Sequence, residues 1–164
     1  MRKRQGGQAL VEFAIALPVL VLLVAGMLEM GRGYFFAMAT SDAARDGARY
    51  VAGKTSSTNG PGITAMCDII KADLAAAVTP ASSIACATQV NHAPPFVVGT
   101  DYAAPTPGQA VVAVYCGSSA NCTGSIPTLY QSEVDVAVYY GFSDLNLLGG
   151  GITISGSSRA TTAW

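Results

Sequence analysis

Charge is scarce in this chain of 164 residues: Asp, Glu, Lys and Arg together make up 12%, and between Phe13 and Leu28 there is none. No Lys/Arg cluster exists beyond Arg2, Lys3 and Arg4, which excludes the basic surface that nucleic acid requires. There is no C-x-x-C pair, and His92 is the one histidine, with no companion at ligand spacing, so a zinc site and any other metal site are not expected. Catalytic groupings are missing too. His92 lies in a Pro-rich stretch with no G-x-S-x-G turn nearby, the place of a solvated loop histidine. Gly47 to Thr55 has five residues between its glycines where a phosphate-binding loop has four, and it ends a helical stretch instead of opening one. Glu133 and Asp135, two apart on a predicted strand, read as outward-facing solubility charges. No enzyme, cofactor or small-molecule substrate is expected.

What the chain has in quantity is apolar sequence, 51% of its residues. That is too much for a disordered protein, and the length leaves room for one small domain beyond a membrane segment. Adding Ala9 to Val11 to the uncharged run gives about 20 mostly apolar positions, roughly the length of a bilayer-spanning helix. Arg2, Lys3 and Arg4 precede it and bias its N-terminal side toward the cytosol, which predicts a single-pass protein of the cytoplasmic membrane with its remainder outside the cytoplasm. Removing the three basic residues of 1–7 takes the formal net charge from −1 to −4. Within the apolar run stands Glu12. An acid at mid-membrane costs on the order of 2.5 to 3.5 kcal/mol, less near the interface, so a compensating group is expected.

Helical character continues past the apolar run to about Ala52, because Ala, Leu, Met and Arg dominate and no turn cluster intervenes. About 45 residues at roughly 1.5 Å each reach nearly 70 Å, more than twice the hydrocarbon thickness, so half of this helix should project as a spacer or packing surface. Pro18 invites a kink. Ala39, Ala43 and Gly47, with Ala44 and Ala48, place small residues four apart and allow close approach of another element. The residues favour the helix's own head as that element, with a partner subunit as the alternative.

Lys54 to Gly62 reads as a loop, and Ile63, Met66, Ile70, Leu74 and Val78 recur as in a short amphipathic helix ended by Pro80. Strands follow near Ile84 to Val90, Ala110 to Cys116, Glu133 to Tyr140 and from Ile152, with the Pro-rich excursion 91–108 a candidate for recognition. Turns are expected at Gly117 to Gly124 and at Gly149 to Gly151. The expected class is therefore α+β: a long N-terminal helix, transmembrane and then projecting, a short second helix, and a small antiparallel sheet of about four strands. Cys67, Cys86, Cys116 and Cys122 all fall on the predicted extracytoplasmic side, where disulfides persist. Four cysteines permit three connectivities. Cys67 with Cys86 is preferred because it fastens helix to sheet, and Cys116 with Cys122 because it staples a turn.

The segment Gly7-Gln8-Ala9-Leu10-Val11-Glu12-Phe13-Ala14, with Leu17-Pro18, Glu29-Met30-Gly31-Arg32 and Ala43-Ala44-Arg45-Asp46-Gly47-Ala48-Arg49-Tyr50, resembles the TadE family of pseudopilins from the tight-adherence (Flp, type IVc) pilus machinery. The resemblance covers about residues 6 to 53. It implies a pilin-like fold and three parts: a prepilin leader 1–7, a membrane-anchoring and projecting helix 8–53, and an extracytoplasmic head 54–164. It further implies cleavage after Gly7 by a prepilin peptidase, with Gln8 as the new N-terminus and Glu12, next to Phe13, aligning subunits, its carboxylate one helical turn from a freed amine. The implied partners are that peptidase, the membrane, a TadF-like pseudopilin, the Flp pilin and the pilus-assembly platform proteins. Two rivals stay open. One is an ordinary single-span protein whose head binds a ligand. The other is a secreted protein released near Val24-Ala25-Gly26, where small residues resemble a signal-peptidase site.

Overall fold

A computed structural model describes residues 6–52, 63–78, 83–116, 133–142 and 152–161. The expected leader charges, the 54–62 loop, the turns after Cys116 and before Ile152, and Cys122 lie outside the described residues. The elements in chain order are α1 (Gly6–Ala52), α2 (Ile63–Leu74), β1 (Ile84–Val90), β2 (Ala110–Cys116), β3 (Glu133–Phe142) and β4 (Ile152–Thr161). The chain divides into two compact units, Met1–Tyr34 and Phe35–Trp164, and α1 contributes residues to both.

In the first unit α1 runs through Pro18 without interruption. Its apolar side chains, from Leu10 through Leu28, are exposed. This stretch is long and apolar enough to cross a membrane, and a helix apolar all round that packs on no protein is what a bilayer accommodates.

In the second unit the α1 residues from Phe36 onward carry one buried face. Phe36 stacks on Tyr140 with ring centroids 4.4 Å apart and meets the edge of Phe142. Ala43, Ala44 and Ala48 are fully covered and join Met66, Ile70 and Leu74 of α2 and the valines of β2 and β3 in the main core. The opposite face bears Asp42–Arg45 and Asp46–Arg49 ion pairs, each three residues apart and solvated. Thr40, buried on the inner face, shares its hydroxyl hydrogen between the Phe36 and Ala37 carbonyls, so its side-chain donor is satisfied. Two glycines set the spacing. A Cβ on Gly47 would stand 2.7 Å from Ile70 Cδ1, and one on Gly156 would stand 2.6 Å from Ser41 Cα, so α1 rests directly on α2 and on β4.

The sheet has the order β1-β2-β3-β4. β3 pairs antiparallel with both β2 and β4, as the alternation led one to expect. The first pair differs: β1 and β2 run parallel, which makes the sheet mixed. A parallel pair needs a connection of a dozen residues or more, and the stretch from Asn91 to Gln109 supplies it. A hairpin turn, which would have forced an antiparallel pair, is absent there.

That connection also covers the second face of the sheet. Phe96 and Tyr102 are buried against Val90, Val111, Ala113 and Ala137, forming a second, smaller core, and Tyr102 stacks on Tyr139 at 3.9 Å. Burial pushes the Tyr139 phenol up to about 12, with Tyr102 beside it adding to the shift. The end of this connection that leads into β2 is tied to β3, since Gly108 N–H donates to Gly141 O and Gly141 N–H to Gln109 O. The Cys67–Cys86 disulfide joins α2 to β1, with the two Cα atoms 5.9 Å apart.

Candidate functional site

The first unit holds the residues singled out at the N-terminal end. Gly7, Gln8, Glu12 and Phe13 all lie on α1, and their surfaces are exposed. Gln8 and Glu12, four apart, share one helix face, and Gln8 Nε2 donates to Glu12 Oε1 at 3.4 Å. The Glu12 carboxylate sits at the end of a shallow apolar groove lined by Ile15, Ala16, Val19, Leu20 and Leu23. A cation from outside the helix, brought alongside this groove, would meet one acid in otherwise apolar surroundings. Farther along the same unit, Glu29 and Arg32 form an ion pair at 3.3 Å. Among the described residues, nothing outside its chain neighbours and its own helix backbone stands within 4 Å of the position a Cβ would take on Gly7.

Residues 7–49 match the family model described as TadE-like protein. The match includes Gly7, Glu12 and the small-residue stripe and stops before α2 and the sheet. The matched segment is similar to TadE-like proteins, a family of structural pilus components and not of enzymes, and it covers less than a third of the chain. No curated protein matches the chain, and no solved structure does.

The small-residue positions are brought together by the fold. Ala39 packs against the main core from its margin, Ala43, Ala44 and Ala48 lie inside it, and Gly47 abuts Ile70 and Met66. Of the cysteines, Cys67 and Cys86 are bridged, and the other expected pair, Cys116 with Cys122, falls outside the described side chains. Among the described residues no group of His, Cys, Asp or Glu is placed to hold a metal ion.

Two features of the second unit were not expected from the residues. Asp135 is not a solubility charge: it is buried. It accepts from Arg159 Nε at 2.7 Å, and Arg159 Nη1 also reaches Glu133 at 2.6 Å. The reason is register, since Asp135 lies directly across from Arg159 on β4 and the connection between β1 and β2 covers that face. These hydrogen bonds raise the Arg159 guanidinium further above its already high value.

His92 is half exposed, yet it is clasped instead of merely solvated. Its Nδ1 meets the Ala93 carbonyl at 2.8 Å, and its Nε2 meets both Asp101 carboxylate oxygens at 3.0 Å. Both partners are acceptors, so both ring nitrogens are called on to donate, which is the pattern of an imidazolium. The His92 pKa is accordingly raised, first by the Ala93 carbonyl and then by Asp101. Asp101 also accepts from Val97 N–H at 2.6 Å, closing a small ring of contacts over the sheet. Sequence spacing carries no signal for either cluster, because the partners are 9 and 24 residues apart and neither distance is a helix or strand repeat.

Proposed function

We propose that this protein is a pseudopilin of tight-adherence pilus assembly. In this reading a prepilin peptidase cuts after Gly7, Gln8 becomes the N-terminus, and Glu12 pairs with the freed amine of a neighbouring subunit. The apolar part of α1 is held in the cytoplasmic membrane with its N-terminal end cytoplasmic, and the α+β head stands outside the cytoplasm. The partners are the TadF-like pseudopilin, the Flp pilin and the assembly platform proteins. The observation that carries the reading is the placement of Glu12 inside a TadE-like apolar helix, one turn from Gln8 and facing a groove of aliphatic side chains. An acid so placed raises the energy of an isolated subunit in lipid and lowers it again when a cation arrives, which makes assembly the step that relieves the cost.

The test is the N-terminal residue of the membrane-associated protein, read by intact mass and peptide sequencing in strains with and without the peptidase. A start at Gln8 that depends on the peptidase is expected. A start at Met1 in both strains sinks the proposal and leaves an ordinary single-span protein. Gly7→Ala is expected to block cleavage with insertion intact, whereas Glu12→Ala is expected to be cleaved normally but to assemble poorly. The ligand-binding rival loses support because the aromatic side chains of the 91–108 excursion, Phe96 and Tyr102, face the sheet and are not free to meet a ligand.

A further inference from the structure

β4 pairs with β3 along its whole length, from Phe142↔Ile152 to Glu133↔Thr161, with no register shift. It is the last strand in the sheet order, so no described strand pairs with its other side. Edge strands in natural proteins are commonly shortened, bulged, interrupted by proline or studded with lysine, because an open ladder of N–H and C=O groups recruits another strand. The β4 sequence, Ile-Thr-Ile-Ser-Gly-Ser-Ser-Arg-Ala-Thr, has ten residues, no proline and no lysine. Its one charge, Arg159, is folded back onto Glu133 and Asp135 of β3.

The surroundings of this edge are asymmetric. On one face α1 lies directly over Gly156. On the other, the cover that buries Phe96 and Tyr102 stops short of β4, and Ser155, Ser157 and Arg159 remain exposed. Between that cover and the edge strand is a cleft of ≈ 320 Å³ lined by Pro94, Phe96, Asp135, Ala137, Ser157 and Arg159. Asp135 and Arg159 line this cleft, and Glu133, farther along β3, also pairs with Arg159, so the three side chains together carry one net negative charge.

We infer that β4 is a docking edge for an extended strand of another protein that carries a basic side chain into the cleft beside Glu133, Asp135 and Arg159. The backbone ladder sets the chemistry of the occupant, an extended polypeptide, and the uncompensated acid sets its charge. A second copy of this chain fits less well. Antiparallel self-pairing centred between Gly156 and Ser157 sets each Arg159 across from Ile154 of the other copy, away from the acids, and the other edge strand, Ile-Ala-Cys-Ala-Thr-Gln-Val, has no cation to offer. This inference does not depend on whether Gly7 is a cleavage site.

The test uses the full chain in detergent micelles and two capped peptides of alternating Thr and Val, as long as β4, one with Lys at its second and ninth positions and the other with Glu there. Fluorescence anisotropy is expected to show the Lys peptide binding about fivefold more tightly, the scale of one cross-strand charge pair. Glu133→Lys is expected to reverse that order, and Glu133→Gln to shrink the difference should the reversal variant fold poorly. Amide-resolved hydrogen exchange should show new protection at every second amide of β4 when the Lys peptide is bound. Equal binding of both peptides in every variant overturns the charge assignment, and binding that protects no β4 amide overturns the edge. Protection of β4 that rises with protein concentration in the absence of peptide assigns the edge to a second copy and likewise overturns the proposal.

Discussion

Phe13 and Phe36 stand on the same helix and meet opposite surroundings. Phe13 is 64% exposed among aliphatic side chains that are exposed in the same way, whereas Phe36 is stacked between β3 aromatics. The two stretches of α1 differ in kind as well as in burial. From Phe13 to Leu28 the residues are uncharged and mostly large and apolar on every side, a composition that a bilayer accepts. From Phe36 to Ala48 the apolar face is narrow, made chiefly of Ala and Gly at intervals of three and four, with ion pairs opposite. Hydrophobicity alone does not say whether a helix meets lipid or protein. Side-chain size does, because only small residues let a sheet and a second helix come close enough to exclude water.

The sharpest way to break this comparison is to enlarge a glycine in each stretch. Gly156→Val drives methyl groups into the α1 backbone at Thr40 and Ser41, which cannot rotate away, and should destabilise the second unit by more than about 3 kcal/mol. Gly31→Val meets nothing within 4 Å and should leave stability unchanged. Denaturation of the full chain in detergent, followed by near-ultraviolet circular dichroism, reads both; equal effects would remove the distinction between a packed and an unpacked stretch. Next in size is the Cys67–Cys86 bridge, which closes a loop with a sequence separation of 19. Replacing both residues with Ser should cost about 3 kcal/mol through greater freedom of the unfolded chain. The same assay under reducing conditions should bring wild type down to the variant.

Much of this was legible in the sequence because it repeats. The stripe through Ala39, Ala43 and Gly47 and the alternation through Val134, Val136 and Val138 are periodic, and period identifies a helix face or a strand face without knowledge of the partner. Glu12 stands out in the sequence for another reason, since a lone acid in an apolar run is conspicuous. What escaped was set by chain path. Nothing in residues 91 to 109 repeats, so neither the parallel pairing of β1 with β2 nor the burial of Phe96 and Tyr102 had a local signature. Asp135 then looked like a surface charge because the alternation identifies two faces and says nothing of whether a distant segment covers the second.

A smaller effect sharpens the comparison between the two aromatics. Phe36→Ala should cost about 2 kcal/mol, less than for a fully buried ring because Phe36 lies at the margin of the core. Phe13→Ala should not move the unfolding midpoint of the second unit. A comparable loss from both substitutions would mean that the exposed stretch is coupled to the head's stability, contrary to the division at Tyr34 and Phe35.

The smallest expected effect concerns the clasp at His92. Its partners, the Ala93 carbonyl and Asp101, favour the protonated ring and raise its pKa in the folded protein above the ordinary value near 6.5. A raised folded value means that the native state holds the proton more tightly than the unfolded chain. The clasp's contribution is therefore complete below about pH 6.5 and is lost as pH climbs through the folded value. The α-amino terminus also titrates in that window, so the comparison with His92→Gln isolates the ring. His92 is the chain's one histidine, the Cys67–Cys86 sulfurs do not titrate, and burial keeps the stacked Tyr102 and Tyr139 phenols protonated. The wild-type unfolding midpoint should fall modestly between pH 5.5 and pH 8.5, and His92→Gln should flatten that slope while keeping one donor near Asp101. A slope that survives His92→Gln would place the titrating group elsewhere and would reduce the ring to a solvated side chain beside a buried aspartate.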